Sequence, residues 1–196
     1  MKTTPSPLML CACLFVSPSA FAASDWYVGL AAVDGRSDQT VQFQGNRQSG
    51  PLKDNGISLQ LGKTGEDRRE YFSVTSILHD DATVNTFAFG ADSLYRDGMV
   101  GGYFGVLLGL SALTWDSDIS FQGSETVPVS SESTSNFAYG VRVGGFVEFG
   151  DNWGLDVSYQ LVHTNLKTQV EVTGQGTFNH TIDRIATLHA GVNFRF

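Results

Sequence analysis

Arg142, Glu148 and Asp156 stand in a stretch that is mostly apolar or small, with Asp151 and Asn152 in the turn between Glu148 and Asp156. Each of the three falls on the minor face of an alternating segment, among Ala, Gly and Ser. Charges on the inside of a narrow β-structure need partners, because isolating one costs several kcal/mol. They are therefore expected to form an ion-pair network with Arg195, with Asn193 and His189 as polar neighbours. A sharper chemistry for the same residues would be a gate whose pairs exchange to open a small pore. His163 invites comparison with a Ser-His-acid hydrolase, but the residue two positions on is Asn165. Ser158 lies five residues back, out of reach along a strand at ~3.3 Å per residue. His79, His163, His180 and His189 are scattered; three could share a rim, but no metal-ligand spacing is present. Gly62-Lys63-Thr64 lacks the preceding glycine-rich loop of a phosphate cradle. The expectation is no catalysis, no cofactor and no metal.

The elements that would position these charges are read from a period of two. Leu188, Ala190, Val192, Phe194 and Phe196 alternate with His189, Gly191, Asn193 and Arg195. Seven similar segments precede: Trp26–Val33, Ile57–Gly62, Tyr71–Leu78, Val84–Asp92, Gly101–Trp115, Phe137–Phe149 and a strand carrying Leu155 to Leu161. Leu107 and Leu113 interrupt the pattern of the fifth. Residues 34–56, 116–135 and 165–180 read as long loops, with a possible strand extension in Lys167 to Thr173. Lys63 to Arg69, His79 to Asp81, Ser93 to Gly98 and Gly150 to Asn152 read as short turns. Eight strands, with long loops mostly on one rim and tight turns on the other, predict an all-β, eight-stranded antiparallel up-and-down transmembrane β-barrel.

The remaining composition agrees. Lys2, an apolar run from Leu8 to Val16 and Ala20-Phe21-Ala22 read as a signal peptide over residues 1–22, leaving 23–196 as one barrel domain. Leu10-Cys11-Ala12-Cys13 fits a lipid-attachment sequence poorly. Both cysteines leave with the signal, so no disulfide or thiol chemistry is expected. The net charge is −8, or −9 without Lys2, which disfavours nucleic acid as a partner. An alternating sequence cannot say by itself whether its apolar face meets a core or lipid. Small residues on the minor face suit a crowded lumen. Aromatic residues at strand ends (Trp26, Tyr27, Tyr95, Tyr103, Trp115, Phe149, Trp153, Phe194 and Phe196) suit interfacial girdles.

The run Val143-Gly144-Gly145-Phe146-Val147-Glu148-Phe149, a tight turn, then Leu155-Asp156-Val157-Ser158-Tyr159-Gln160 resembles the sixth and seventh strands of the OmpA-like outer-membrane β-barrel domain family. The Trp26-Tyr27-Val28-Gly29 opening and terminal Phe196 resemble it too. The resemblance covers nearly all of residues 23–196. It implies a monomeric integral outer-membrane protein of a Gram-negative bacterium, with a plugged lumen and a structural or surface-interaction role. A small pore or carrier, or a lipid A deacylase-like enzyme, are the alternatives. It also implies two partners: outer-membrane lipid including lipopolysaccharide, and the barrel-assembly machinery, for which Val192, Phe194 and Phe196 would be the assembly signal or simply lipid-facing residues. Family members that continue into a peptidoglycan-binding domain tether the wall; no such role is expected from this pattern.

Overall fold

The computed structural model describes residues 25–43, 46–121, 125–127, 132–172 and 176–196. The expected signal peptide lies outside them. Ten strands follow in chain order: β1 (Asp25–Phe43), β2 (Asn46–Thr64), β3 (Arg68–Leu78), β4 (Ala82–Asp97), β5 (Val100–Trp115), β6 (Ile119–Phe121), β7 (Glu125–Val127), β8 (Ser133–Phe149), β9 (Trp153–Val172) and β10 (Gly176–Arg195). Eight close antiparallel into a barrel in the order β1-β10-β9-β8-β5-β4-β3-β2. The short pair β6 and β7 forms a hairpin outside the barrel, in the connection from β5 to β8.

The register fixes the shape. A rung of paired residues that leaves β1 at Val28 passes through Leu61, Phe72, Phe89, Leu108, Tyr139, His163 and Arg184, and returns to β1 at Asp38. The stagger from residue 28 to residue 38, spread over eight strands ~4.8 Å apart, tilts them by roughly 40°. The lumen of such a barrel is just wide enough for side chains to fill.

Outward side chains form an apolar belt. Leu30, Ile57, Leu59, Phe72, Phe87, Phe104, Leu108, Val141, Val157, Leu188 and Val192 are all exposed. On β9 the belt runs from Trp153 to Leu161, the ~9–11 residues a tilted strand needs to cross a bilayer. A continuous apolar ring of this size is not stable in water, and every strand within it is paired on both edges, as lipid requires.

Beyond the belt, on the rim away from Asp25 and Arg195, the hydrophobic face reverses. On β1 the outward residues change from Trp26, Val28 and Leu30 to Asp34, Arg36 and Asp38, while Val33 and Phe43 point inward and are buried. On β9 they change from Tyr159 and Leu161 to His163, Asn165 and Lys167, with Val162 and Leu166 buried inside. The far end is thus built like a water-soluble barrel, polar outside and apolar inside. Its core contains Phe43, Ile77, Val84, Leu113, Trp115, Leu166, Phe178, Ile182 and Ile185.

This reversal corrects the sequence reading. Most of the expected loop at 34–56 is strand, because β1 and β2 pair from Asp25 with Thr64 up to Phe43 with Asn46. The expected loop at 165–180 is mostly β9 and β10, which pair up to Val172 with Gly176. Of the expected loop at 116–135, β6 and β7 lie outside the barrel whereas Ser133 to Ser135 begin β8 and pair with β5; residues 122–124 and 128–131 lie outside the described residues. Leu107 and Leu113 do not interrupt β5; they are its inward residues. Of the expected girdle residues, Trp26, Tyr95, Phe149, Trp153 and Phe196 are exposed near the rim carrying Asp25, whereas Tyr27, Tyr103 and Trp115 are buried in the lumen. Gly98 and Gly150, at φ 63° and 67°, make the β4–β5 and β8–β9 turns, a conformation costly for any side chain with a Cβ.

Candidate functional site

Inside the belt, two arginines and two aspartates meet. Arg69 donates from Nε and Nη2 to Asp92 Oδ2 at 2.9 and 2.7 Å, and from Nη1 to Asp156 Oδ2 at 3.1 Å. Arg142 donates from Nη2 to Asp156 Oδ1 at 3.0 Å, from Nε to Ser158 Oγ at 3.1 Å and from Nη1 to Gln60 Oε1 at 3.2 Å. It also lies 3.8 Å from Asp92. Tyr103 donates to Asp156 Oδ1 at 2.7 Å and Tyr71 to Asp92 Oδ1 at 3.4 Å. The Tyr103 ring centre is 4.3 Å from the Arg69 guanidinium carbon and 4.9 Å from that of Arg142, close enough for cation–π attraction to both. All four charged groups are buried. Their formal charges cancel, and each carboxylate accepts charge-assisted bonds, the condition under which buried ions are tolerated.

Glycines on the inward face make the room. A Cβ at Gly90 would lie 2.2 Å from Tyr71 Cζ, and one at Gly144 2.5 Å from Tyr103 Cζ. At Gly105 it would lie 2.0 Å from Asp92 Oδ1. The small inward residues on β4, β5 and β8 are therefore the space into which the large ones on β3, β4 and β5 fit.

Of the expected network, the structure brings Arg142 and Asp156 together. Glu148 and Arg195 meet each other at 3.1 Å, but lower down, at the rim near Asp25, where Glu148 also accepts a bond from Arg96. Arg96 is tied in turn to Thr64 Oγ1 and to the carbonyls of Gly65 and Glu66. The sequence reading thus joined into one network what are two groups. His189 is buried in the lumen, but its Nε2 meets Thr187 Oγ1 at 2.9 Å rather than a carboxylate. Arg69, Asp92 and Arg96 were missed. Arg69 was counted in a charged turn, although Arg69, Tyr71, Ser73 and Thr75 alternate with Phe72 and Val74 and so announce an inward face. Val192 and Phe196 are exposed on the belt. Phe194 packs its ring 4.9 Å from Trp153 and 6.3 Å from Phe196. Ser158 points inward and His163 outward, against Tyr139, so they share no site.

Above the charged group lies a layer of hydroxyls and amides, with Ser58 against Thr75 and Thr86 against Ser111, both at 2.9 Å. Above that is the apolar core of the far end. His180 is buried there, its Nε2 2.8 Å from Gln39 Oε1 and its ring 5.0 Å from Trp115. Its Nδ1 has no partner among the described residues. Burial, and to a lesser degree the nearby His79, hold its pKa down to about 4. His79 itself contacts Asp54 through Nδ1, and its Nε2 is likewise buried without a partner.

Residues 8–196 match the family model described as "Outer membrane protein beta-barrel domain". The chain belongs to that family. Its location is the outer membrane, as a barrel of the small eight-stranded kind. Among solved structures, Neisserial surface protein A is 18% identical with a TM-score of 0.62, over 87% of this chain and 97% of that one. OprG from Pseudomonas aeruginosa is 12% identical with a TM-score of 0.57, over 89% and 96%. OprH from the same organism is 17% identical with a TM-score of 0.50, over 88% and 99%. These likenesses establish the fold. No curated protein sequence matches the chain.

The lowered His180 pKa has a consequence for stability. A histidine free in the unfolded chain titrates near 6.5. Neutral burial therefore contributes its full stability above about pH 6.5, and that stability is lost progressively as pH falls toward 4, where the unfolded state binds the extra proton. Amide protection factors (observed exchange relative to the intrinsic rate at each pH) at Thr40–Phe43 and Phe178–Ile182 should fall over this window in detergent micelles. His180→Phe should remove the His180 part of the pH dependence; an unchanged profile would refute the assignment.

Proposed function

We propose that this outer-membrane barrel is a plugged, monomeric, non-enzymatic protein whose far rim faces the medium and provides a surface for interaction. The observation that carries the reading is the unbroken filling of the lumen: the Arg–Asp group, then the hydroxyl layer, then an apolar core. One recess, of about 30 Å³, lies at the rim near Asp25 and is lined by Tyr27, Arg69, Glu148 and Arg195 among others. Another, of about 10 Å³, lies beside Arg142 and Asp156, about the space of a single water. Transport along the axis would require parting Arg142 and Arg69 from Asp156 and also unpacking Trp115 and Phe178. That double obstruction favours the plugged reading over a small pore or carrier. The separation of Ser158 from His163 supports a non-enzymatic role over a lipid-modifying one. In planar bilayers the purified protein should show no steady conductance. Regular unit currents from the folded wild type would overturn the reading.

Assembly is the second part of the proposal. The barrel-assembly machinery would read the outward Val192, Phe194 and Phe196, whose exposed edge position before closure makes them available as the last strand docks on β1. Removal of Phe196 should lower the amount reaching the outer membrane severalfold while leaving refolding into micelles nearly unchanged. A truncated protein present in the membrane at wild-type amounts would reject this role, leaving these residues as lipid contacts only.

A further inference from the structure

The twelve Lys and Arg of the chain are not evenly placed. The five that stand beyond the belt at the far end are Arg36, Arg47, Lys53, Lys167 and Arg184. All lie on the four adjacent strands β2, β1, β10 and β9, and all are exposed. The opposite side of the same rim carries Asp80, Asp81, Asp116 and Glu132, and no Lys or Arg occurs between Asp97 and Val141. The cations of this rim are thus confined to one side of it, where they are interspersed with Asp34, Asp38, Asp54 and Asp183.

At the centre of that side are Arg36 and Lys53, which are directly opposite each other on β1 and β2. Like charges in that position repel and destabilise a sheet. Neither side chain has an ion pair or hydrogen bond with any described residue. None of the nearby described carboxylates forms an ion pair with either side chain. Asp38 is engaged by Arg184 at 3.9 Å. Asp34 sits across from Asn55 and Leu188, two residues below Arg36. Asp183 is exposed at the β10 bulge, and Asp54 is taken by His79.

The height of the pair is equally specific. Because the rung descends with the strand tilt as it runs from Arg36 through Ala186 and Leu161 to Val141, the level of Arg36 on β8 lies about four residues above Val141, near Phe137, an exposed apolar residue at the top of the belt. On β2, Lys53 lies two residues beyond Asn55, whose partner on β3 is the exposed Leu78. The two cations therefore stand at the margin where acyl chains give way to headgroups. Side chains of this length can follow the barrel wall and keep their charges in the polar layer.

We propose that Arg36 and Lys53 bind the phosphate groups of outer-leaflet lipid. An anion seated between them would turn the cross-strand repulsion into attraction, with the guanidinium offering paired donors to two phosphate oxygens and the ammonium a single compact charge. The inference rests on the outward orientation of the far rim proposed above, but its test does not, because binding in micelles reads the contact without regard to topology.

The test is native mass spectrometry of the mature protein in micelles, with purified diphosphoryl lipid A, its phosphatase-treated form and inorganic phosphate as separate probes. The folded wild type should retain the diphosphoryl form at least about tenfold better than the dephosphorylated one. Arg36→Gln with Lys53→Gln should reduce that retention on the order of tenfold to thirty-fold, from the contribution of two cations at a charged lipid surface. Arg47→Gln, further from the belt, should leave it unchanged. Both changes are on exposed side chains, and heat-modifiable migration verifies the folded barrel. Equal retention of the two lipids, or an undiminished double variant, would overturn the proposal. Displacement of the lipid by inorganic phosphate at equal concentration would assign the site to free phosphate instead and equally overturn it. A failure of surface labelling at the far rim, by contrast, would strike the orientation alone.

Discussion

The Arg69–Asp92–Asp156–Arg142 group is the interaction on which the membrane-embedded part of this barrel depends. A bilayer demands a closed ring of strands, and eight strands leave no room for a water column wide enough to solvate charges. Four ions placed in that space must satisfy one another. They do so with alternating sign, eight charge-assisted or polar hydrogen bonds to named partners, and the rings of Tyr27, Tyr71 and Tyr103 packed around the guanidinium planes. The glycines at 90, 105 and 144 follow from this demand, since any larger residue would displace a ring or a carboxylate. A buried ion group is weak grounds for high stability, but removing one member of it leaves an uncompensated charge, which typically costs 3–5 kcal/mol. It therefore acts as a lock on which strands may be neighbours: β3, β4, β8 and β9 must all be in register for it to form.

The second organising constraint is the change of solvent along each strand. Within lipid the apolar residues face out; beyond it they face in. The far end of the molecule obtains a conventional hydrophobic core from Phe43, Trp115, Leu166, Phe178 and Ile182, while its outer surface becomes polar and charged. One consequence is that the far-end sheet of β9, β10, β1 and β2 has its own packing and its own sensitivity to pH through His180, separate from the belt. Another is that Arg36 and Lys53 stand where the polar outer surface begins, just beyond the belt.

The number of barrel strands and their apolar strips could be read from alternation, because a strip such as Leu155, Val157, Tyr159 and Leu161 has a simple period. Assigning those strips to lipid took the small residues of the minor face, the aromatic strand ends and the family resemblance as well. The strand lengths could not be read from alternation. At Val33 and Val162 the apolar face changes sides, so a period that is continuous in the backbone is broken in hydropathy, and the polar outer residues of the far end read as loop. The lumen group was half legible. Arg142 and Asp156 stand on clear minor faces, whereas Arg69 lies in the run Glu66-Asp67-Arg68-Arg69, where crowding by other charges hides its inward phase. Which arginine meets which carboxylate depends on the ten-residue stagger of the barrel, and that is a property of all eight registers together rather than of any segment.

The central claim is that charge balance within the lumen group, rather than any one side chain, holds the barrel together. A double-mutant cycle on Arg142→Gln and Asp156→Asn, read as urea unfolding of the refolded protein in micelles, tests it most directly. Each single change leaves one charge unmatched; the pair restores neutrality. The double variant should be more stable than the sum of the single losses predicts, by on the order of 2 kcal/mol, a coupling expected of side chains sharing one buried network. Strictly additive losses would contradict the account.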